Sequence, residues 1–183
     1  MKELSLHILD IAQNSISAGC TDLDLSLIEK DRVLTLTIAD NGRGMSPEFL
    51  AAVTDPFTTT RTTRKVGLGL PLLRLAAEQT GGSLHIESTV GVGTTVRAIF
   101  HTDNIDCPPI GDMAATAAML IQGASEVEFT YERATDKGSF RFDTREVREI
   151  LGPEISLADP EIFLWIQDYI GELEQSIEGA EID

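Results

Sequence analysis

The chain has 183 residues, of which 42% are hydrophobic, and it carries a formal net charge of −16. This length suits one domain of ordinary size, or one domain with a small appendage. No apolar run approaches the roughly 20 residues that span a bilayer, and no signal-peptide core follows the first residues, so we expect a cytoplasmic protein that does not bind membranes. Nucleic-acid binding is also not expected, because it requires a basic surface and this chain is strongly acidic.

The negative charge is concentrated in the second part of the chain. Residues 1–100 hold 9 Lys/Arg against 11 Asp/Glu, whereas residues 101–183 hold 5 against 19. The acidic part is either a solvated surface or a docking face for a basic partner. Cys20 and Cys107 lie far apart and lack a Cys-x-x-Cys partner, so we predict two reduced thiols and neither a zinc site nor a disulfide framework.

In the first half of the chain, helical and strand patterns alternate. Apolar residues at helical spacing predict a helix over 2–18, and period-two alternation then predicts a hairpin from strands 22–28 and 32–39. A short helix is predicted to start at Ser46-Pro47, with serine as the cap and proline in the first turn.

The middle of the chain contains one long segment without periodicity. Residues 54–66 are rich in hydroxyl groups and cations, and we predict that they form a mobile loop. A helix over 68–80 follows, and two strands, 83–88 and 94–100, are joined by a glycine turn.

After Phe100 the composition changes. Residues 101–110 carry prolines and several acidic or amide side chains, which suits a linker. We therefore predict two regions, residues 1–102 and an acidic region 103–183 of unassigned role. The elements predicted in the second region are a helix over 113–122, a hairpin from strands 127–133 and 139–142, and helices over 144–151 and 160–178.

Two glycine motifs predict a nucleotide site. Asp40-Asn41-Gly42-Arg43-Gly44-Met45 follows a predicted strand, so its carboxylate lies where the strand becomes a turn. Val66-Gly67-Leu68-Gly69-Leu70 opens a predicted helix, and backbone N–H groups at a helix N-terminus favour phosphate. Glycine lets the backbone approach a flat ligand closely. A carboxylate for a base edge and a glycine-opened helix for phosphates are typical of nucleotide binding.

An acid and an amide one helical turn apart add a third element. Asp10 and Asn14 lie on one face of the first predicted helix. The side-chain oxygen of Asn14 is a suitable ligand for Mg²⁺, which proteins hold with few side chains together with substrate phosphates. Asp10 could orient a water near the terminal phosphate.

Together these motifs resemble the GHKL superfamily of ATP-binding proteins, which includes gyrase, the histidine kinases and MutL. The resemblance covers about residues 2–100 and rests on four motifs in order: Asn14, Asp40 with Gly42 and Gly44, Gly67 with Gly69, and Gly93-Thr94. It implies an α+β Bergerat fold, a two-layer sandwich with a mixed sheet and helices on one face. Residues 103–183 would then form a small α/β appendage.

The resemblance also implies roles for individual residues. Asp40 would accept a hydrogen bond from adenine, Gly44 would pack against the ring, and Thr94 would act through a water. Asn14 would hold Mg²⁺, Asp10 would be the catalytic residue, and a lid over about 55–66 would close on the phosphates. The expected ATP-binding residues are Asn14, Asp40, Gly42, Gly44, Met45, Thr60, Arg61, Arg64, Lys65, Gly67, Leu68, Gly69, Leu70 and Thr94.

Within the superfamily the chain is most similar to histidine-kinase catalytic domains. The first predicted helix begins at the first residues, so we expect no phosphoacceptor hairpin and no autophosphorylation in cis. Position 10 carries Asp, where such kinases often have Asn and the ATPases and anti-sigma serine kinases have Glu.

Three functions stay open: a protein kinase that acts in trans on a His or Ser, a slow ATPase that switches a partner, and a binding module without turnover.

The last predicted helix carries Phe163, Trp165 and Tyr169. These aromatic residues either belong to the core or form a protein contact, including a homodimer contact.

Overall fold

The structure is a computed structural model and describes residues 2–54 and 69–178. The described part contains six helices and six strands. The helices are α1 (Leu4–Ser17), α2 (Pro47–Val53), α3 (Gly69–Gln79), α4 (Met113–Gly123), α5 (Thr144–Leu151) and α6 (Pro160–Glu178). The strands are β1 (Asp22–Lys30), β2 (Val33–Asp40), β3 (Ser83–Thr89), β4 (Gly93–His101), β5 (Glu128–Thr135) and β6 (Gly138–Asp143).

These strands form one mixed sheet in the order β3-β4-β2-β1-β5-β6. Neighbouring strands are antiparallel except β1 and β5, which run parallel. The register places buried side chains in rows across the sheet, so that Leu25 lies opposite both Ile38 and Tyr131, and Ile38 lies opposite Val96. A parallel pair needs a long crossover connection, which here includes the chain from β2 to α4.

The two faces of the sheet differ in polarity. The face that carries Leu25 and Ile38 is buried under helices, and α1, α3, α4 and α6 contact one another or this face. The opposite face carries the alternate residues, which include Asp24, Thr37 and Glu132 and are mostly polar. Because side chains alternate along a strand, one face can pack while the other meets water. The predicted α+β sandwich with helices on one face is confirmed.

The acidic region continues the same sheet. Strand β5 adds to the edge of β1, and α4 contacts both α1 and α6. A single cluster of buried apolar side chains includes Leu4 and Leu36 from the first region and Tyr131 and Ile170 from the second. Elements on both sides of residue 102 therefore share one sheet and one core. The boundary between residues 1–102 and 103–183 stays a prediction.

The predicted elements agree with the structure to within a few residues at their ends. The first predicted helix, 2–18, spans Leu4–Ser17, and the last, 160–178, spans Pro160–Glu178. Apart from Thr54, which ends α2, the predicted loop 54–66 lies outside the described residues. Among the helices that the structure describes, none is long and apolar enough to cross a membrane.

Candidate nucleotide-binding site

The site is built around the last residue of β2, Asp40, on the helix-covered face of the sheet. Asp40 lies directly opposite Leu23 on β1 and Thr94 on β4. Its Oδ1 accepts a hydrogen bond from the backbone N–H of Gly42 at 2.8 Å. This contact turns the chain away from the sheet immediately after the strand, as Asp often does in turns. A carboxylate accepts several hydrogen bonds, so Asp40 can still accept one from a ligand.

Ser88, at the end of β3, joins the two loops that flank Asp40. Its Oγ accepts a hydrogen bond from Met45 N at 2.8 Å and donates one to Gly93 O at 3.2 Å. A further hydrogen bond of 2.7 Å joins the hydroxyls of Ser88 and Thr94. The sequence analysis did not single out Ser88, because its partners lie 43 residues before it and across a turn after it.

Asn41 fixes the other side of the same loop. Its Oδ1 accepts hydrogen bonds from the backbone N–H groups of Thr21 at 2.8 Å and Asp22 at 3.0 Å. Its Nδ2 donates to Thr21 Oγ1 at 2.8 Å. Asn41 therefore ties the end of β2 to the start of β1 and holds the turn that follows Asp40.

The motif glycines bring backbone segments into close contact. Gly44 has a φ of +72°, and a Cβ there would lie 2.1 Å from the carbonyl oxygen of Thr89. Gly93 has a φ of +146°, and its Cβ would lie 2.0 Å from the carbonyl oxygen of Asp40. A side chain is excluded at both positions because backbone atoms cannot move aside. These glycines allow the loops around Asp40 to close on one another.

A cavity that is open to solvent lies between α1, the loop after β2, α3 and β4. Five predicted site residues line it: Asn14, Gly44, Met45, Leu70 and Thr94. The sequence analysis did not predict the other lining residues, which are Ile11, Ser15, Ala18, Arg43, Phe49 and Val96.

The walls of the cavity suit a flat ring with a polar edge. Ile11, Met45 and Val96 give an apolar surface, whereas Thr94 brings a hydroxyl that is linked to Ser88. Asp40 does not line the cavity itself but is the sheet neighbour of Thr94. Small-molecule sites are mostly apolar with a few polar groups that fix orientation. This arrangement fits an adenine ring.

Asp10 and Gly69 meet at the junction of α1 and α3, beside the cavity. A Cβ on Gly69 would lie 3.6 Å from Cβ of Asp10 and 3.8 Å from Cγ1 of Ile11. The Asp10 carboxylate is half exposed and pairs with the Nζ of Lys2 at 3.1 Å. Asp10 thus lies next to the N-terminus of α3, and Asn14, one turn later on α1, lines the cavity.

Six predicted binding residues lie outside the described residues. They are Thr60, Arg61, Arg64, Lys65, Gly67 and Leu68. Gly42 is described and buried but does not line the cavity. It packs against Ala18 instead: a Cβ built on Gly42 would lie 3.0 Å from Cβ of Ala18.

Two titratable groups on or next to α1, Cys20 and His7, have pKa values that burial shifts. Burial raises the pKa of Cys20 to about 11, and the Asp40 carboxylate adds to the rise. Cys20 and Cys107 are both free thiols. Burial also lowers the pKa of His7, with a contribution from Lys2, whereas Asp10 opposes the change. A thiol with a raised pKa is a poor nucleophile at neutral pH.

Within residues 2–54 and 69–178 no group of three or more His, Cys, Asp or Glu side chains could hold a metal on its own. This does not conflict with Mg²⁺, which proteins bind with one or two side chains together with substrate phosphates and waters. Asn14 lines the cavity and carries a suitable oxygen.

Comparison with known proteins adds to this geometry. The family model of histidine kinase-, DNA gyrase B- and HSP90-like ATPases matches residues 2–104. Sporulation kinase D of Bacillus subtilis is 36% identical over 91 residues, 49% of this chain and 18% of that protein. Histidine protein kinase DivJ of Caulobacter vibrioides is 43% identical over 70 residues, 36% of this chain and 12% of that protein. The chain therefore spans less than a fifth of either relative.

A solved structure shares the fold over a larger part of the chain. The N-terminal domain of a DNA repair protein superposes with a TM-score of 0.51 and 16% identity, and covers 78% of this chain and 52% of that one. At this identity the similarity concerns the fold alone.

Proposed function

Because this chain belongs to the family of histidine kinase-, DNA gyrase B- and HSP90-like ATPases, an ATP-binding family, we propose that it binds ATP with Mg²⁺ and transfers the γ-phosphoryl group to a protein partner. The observation that carries the proposal is the cavity, in which an apolar wall, the Thr94 hydroxyl next to Asp40, and the Asn14 amide converge.

The base end of the cavity selects adenine. Asp40 accepts a hydrogen bond from the exocyclic amine, and the Thr94 hydroxyl contributes through a water. Ser88 holds Thr94 and the Met45 backbone together, so the polar edge is ordered before the ligand arrives. Such preorganisation lowers the entropic cost of binding.

The phosphate end lies towards Asn14 and the start of α3. The N-terminus of α3 at Gly69 favours negative charge, and Asn14, which lines the cavity, would hold Mg²⁺. When bound, Mg²⁺ would neutralise part of the negative charge of the phosphates. Thr60, Arg61, Arg64 and Lys65 are the lid groups that we propose to contact the phosphates.

The relatives named as kinases support transfer to a protein. A second function, slow hydrolysis that gates a partner interaction, is favoured by one observation: Cβ of Asp10 lies 3.6 Å from a Cβ built on Gly69, at the start of α3. There Asp10 could hold the attacking water. The Nζ of Lys2 lies 3.1 Å from Oδ2 of Asp10 and orients its carboxylate.

Labelled nucleotide separates these functions. The protein is incubated with γ-labelled ATP and Mg²⁺, with and without an extract of its native cells. Label on a partner protein supports transfer, and label released as inorganic phosphate by the protein alone supports hydrolysis. Asp10→Asn should lower hydrolysis at least about tenfold, because the base is lost. Binding of ATP with neither product would contradict both functions.

A further inference from the structure

The outer side of α6 presents apolar and acidic side chains in one stripe. The stripe consists of Leu164, Trp165, Asp168, Tyr169 and Glu172, all exposed and spaced at helical intervals. Leu164 is 59% exposed, and Trp165 and Tyr169 are each 40% exposed. Isolated exposed apolar residues are ordinary, but three on two successive turns of one helix are not explained by the core.

The aromatic rings of this stripe are already ordered. Trp165 and Tyr169 stack with ring centroids 5.3 Å apart and planes 9° from parallel. Tyr169 also contacts the ring of Phe142, a buried residue of β6, at 6.1 Å between centroids. A partner that packs on these rings loses little side-chain entropy, which is a property of aromatic anchors at protein interfaces.

The inner side of α6 accounts for its attachment to the protein. Ile166, Ile170 and Ile177 are buried, and Glu174 binds both Arg133 and the hydroxyl of Tyr131. The helix is thus held by its inner side, and the stripe is available on the other.

The charge around the stripe selects the chemistry of a partner. Helix α6, residues 160–178, contains five Asp or Glu and no Lys, Arg or His, and Glu174 is the acid bound on its inner side. A second copy would bring acidic stripe against acidic stripe, and like charges across an interface are unfavourable. Nucleic acid and anionic lipid surfaces are repelled for the same reason. A cationic partner with apolar side chains complements both features.

We propose that the stripe on α6 is the docking site of a basic amphipathic helix of a partner protein. From residue 164 to 172 the stripe runs about 12 Å along the helix axis, at about 1.5 Å per residue, which matches two turns of a facing helix. Apolar residues of the partner at i, i+3 and i+4 pack on Leu164 and the stacked rings, and its Lys or Arg side chains pair with Asp168 and Glu172. The proposal does not depend on what the protein does with ATP.

The only tryptophan of the chain reports binding directly, because it is Trp165. The probe is a synthetic peptide of roughly 18 residues with Leu at i, i+3, i+4 and i+7 and Lys elsewhere. We expect saturable binding to the full chain, with a blue shift of Trp165 emission and protection from acrylamide quenching. A peptide of equal length with Glu in place of Lys, and a Lys/Ser peptide without Leu, should bind at least about tenfold more weakly.

A charge-matched pair of variants tests the location. Asp168→Lys with Glu172→Lys should weaken binding at least about tenfold, whereas Glu146→Lys with Glu149→Lys on α5 should change it less than about twofold. All four side chains are exposed, and the melting curve of each double variant verifies its fold.

Three results would overturn the proposal. The first is no change in Trp165 emission with the Leu/Lys peptide. The second is equal weakening by both double variants, which would mean non-specific attraction to the acidic chain. The third is a dimer of the free protein in sedimentation that Trp165→Lys dissociates, which would assign the stripe to a second copy.

Discussion

At the scale of single residues, the candidate site depends on side chains that organise loops as well as on those that would touch a nucleotide. The sequence could point to Asp40, Asn14 and the glycines as candidates, because the role expected at each position requires one kind of residue. These are a carboxylate, an amide, or a residue without a side chain. Ser88 could not, since a serine is unremarkable until the register of β3 and β4 places it beside Thr94. The close approach of Gly44 to Thr89 is likewise a product of tertiary folding.

Ser88→Ala tests this organising role. Removal of the hydroxyl leaves Met45 N without its acceptor and releases Thr94, so we expect ATP affinity to fall about threefold to thirtyfold, equivalent to one or two hydrogen bonds. Calorimetric titration measures the change. Ser83→Ala, at the other end of the same strand, is the control and should keep the affinity of the parent.

His7 gives the fold a pH dependence of known sign. The side chain is 4% exposed, its Nδ1 has no hydrogen-bond partner among the described residues, and burial lowers its pKa below the ordinary value of 6.5. The unfolded chain therefore binds a proton at His7 more readily than the folded chain does. The free energy of unfolding falls as the pH decreases from about 6.5 towards the lowered pKa of the folded protein. Lys2, which faces His7, acts in the same direction, and Asp10 opposes it.

We therefore expect the urea midpoint of the parent to fall more steeply from pH 7.5 to 5.5 than that of His7→Phe. His85→Gln, at an exposed position of β3, should keep the parent's slope. Parallel curves for the parent and His7→Phe would show that His7 does not contribute to the pH dependence.

At the scale of elements, the sequence predicted every described helix and strand: α2 from its capping residues, and most others from periodicity, because one side of each packs on the same core. The hairpin pairs β1-β2 and β5-β6 were predicted, but the pairing of β2 with β4 and of β1 with β5 was not. Antiparallel neighbours joined by a short turn follow from the chain, but the parallel pair of β1 and β5 joins segments about a hundred residues apart. The attachment of α6 through Glu174 also depends on that pairing, since Arg133 and Tyr131 both lie on β5.

Removal of that attachment should be costly. Glu174→Ala leaves the largely buried Arg133 charge and the Tyr131 hydroxyl without their shared partner, and we expect the free energy of unfolding to fall by about 2–4 kcal/mol. Glu78→Ala breaks an exposed pair with Arg74 on α3 and should cost less than about 1 kcal/mol. Urea denaturation measures both. Equal losses would mean that the Glu174 contacts add nothing beyond a surface ion pair.

At the scale of the whole molecule, the acidic region and the region that matches the ATPase family share one sheet and one core. A fragment ending at residue 104 would expose the edge of β1 and the side of α1 that contacts α4. We expect such a fragment to aggregate, or to melt well below the full chain, because an uncovered strand edge and apolar face are both unfavourable in water. The full chain should unfold in a single cooperative transition.

A fragment that melts at the same temperature as the full chain would contradict this expectation. It would instead support the boundary at residue 102 that the sequence predicts.

The most direct test of the proposed nucleotide site is a calorimetric titration of ATP into the protein with Mg²⁺, compared with the same titration of Asp40→Asn. The account predicts saturable binding by the parent, and loss of about a hundredfold or more in affinity in the variant, because an amide cannot replace the carboxylate at the base edge without leaving a polar group unpaired. Thermal melts should show that the variant is folded. Unchanged affinity in a folded Asp40→Asn protein would contradict the assignment of Asp40, and with it the proposed orientation of ATP in the cavity.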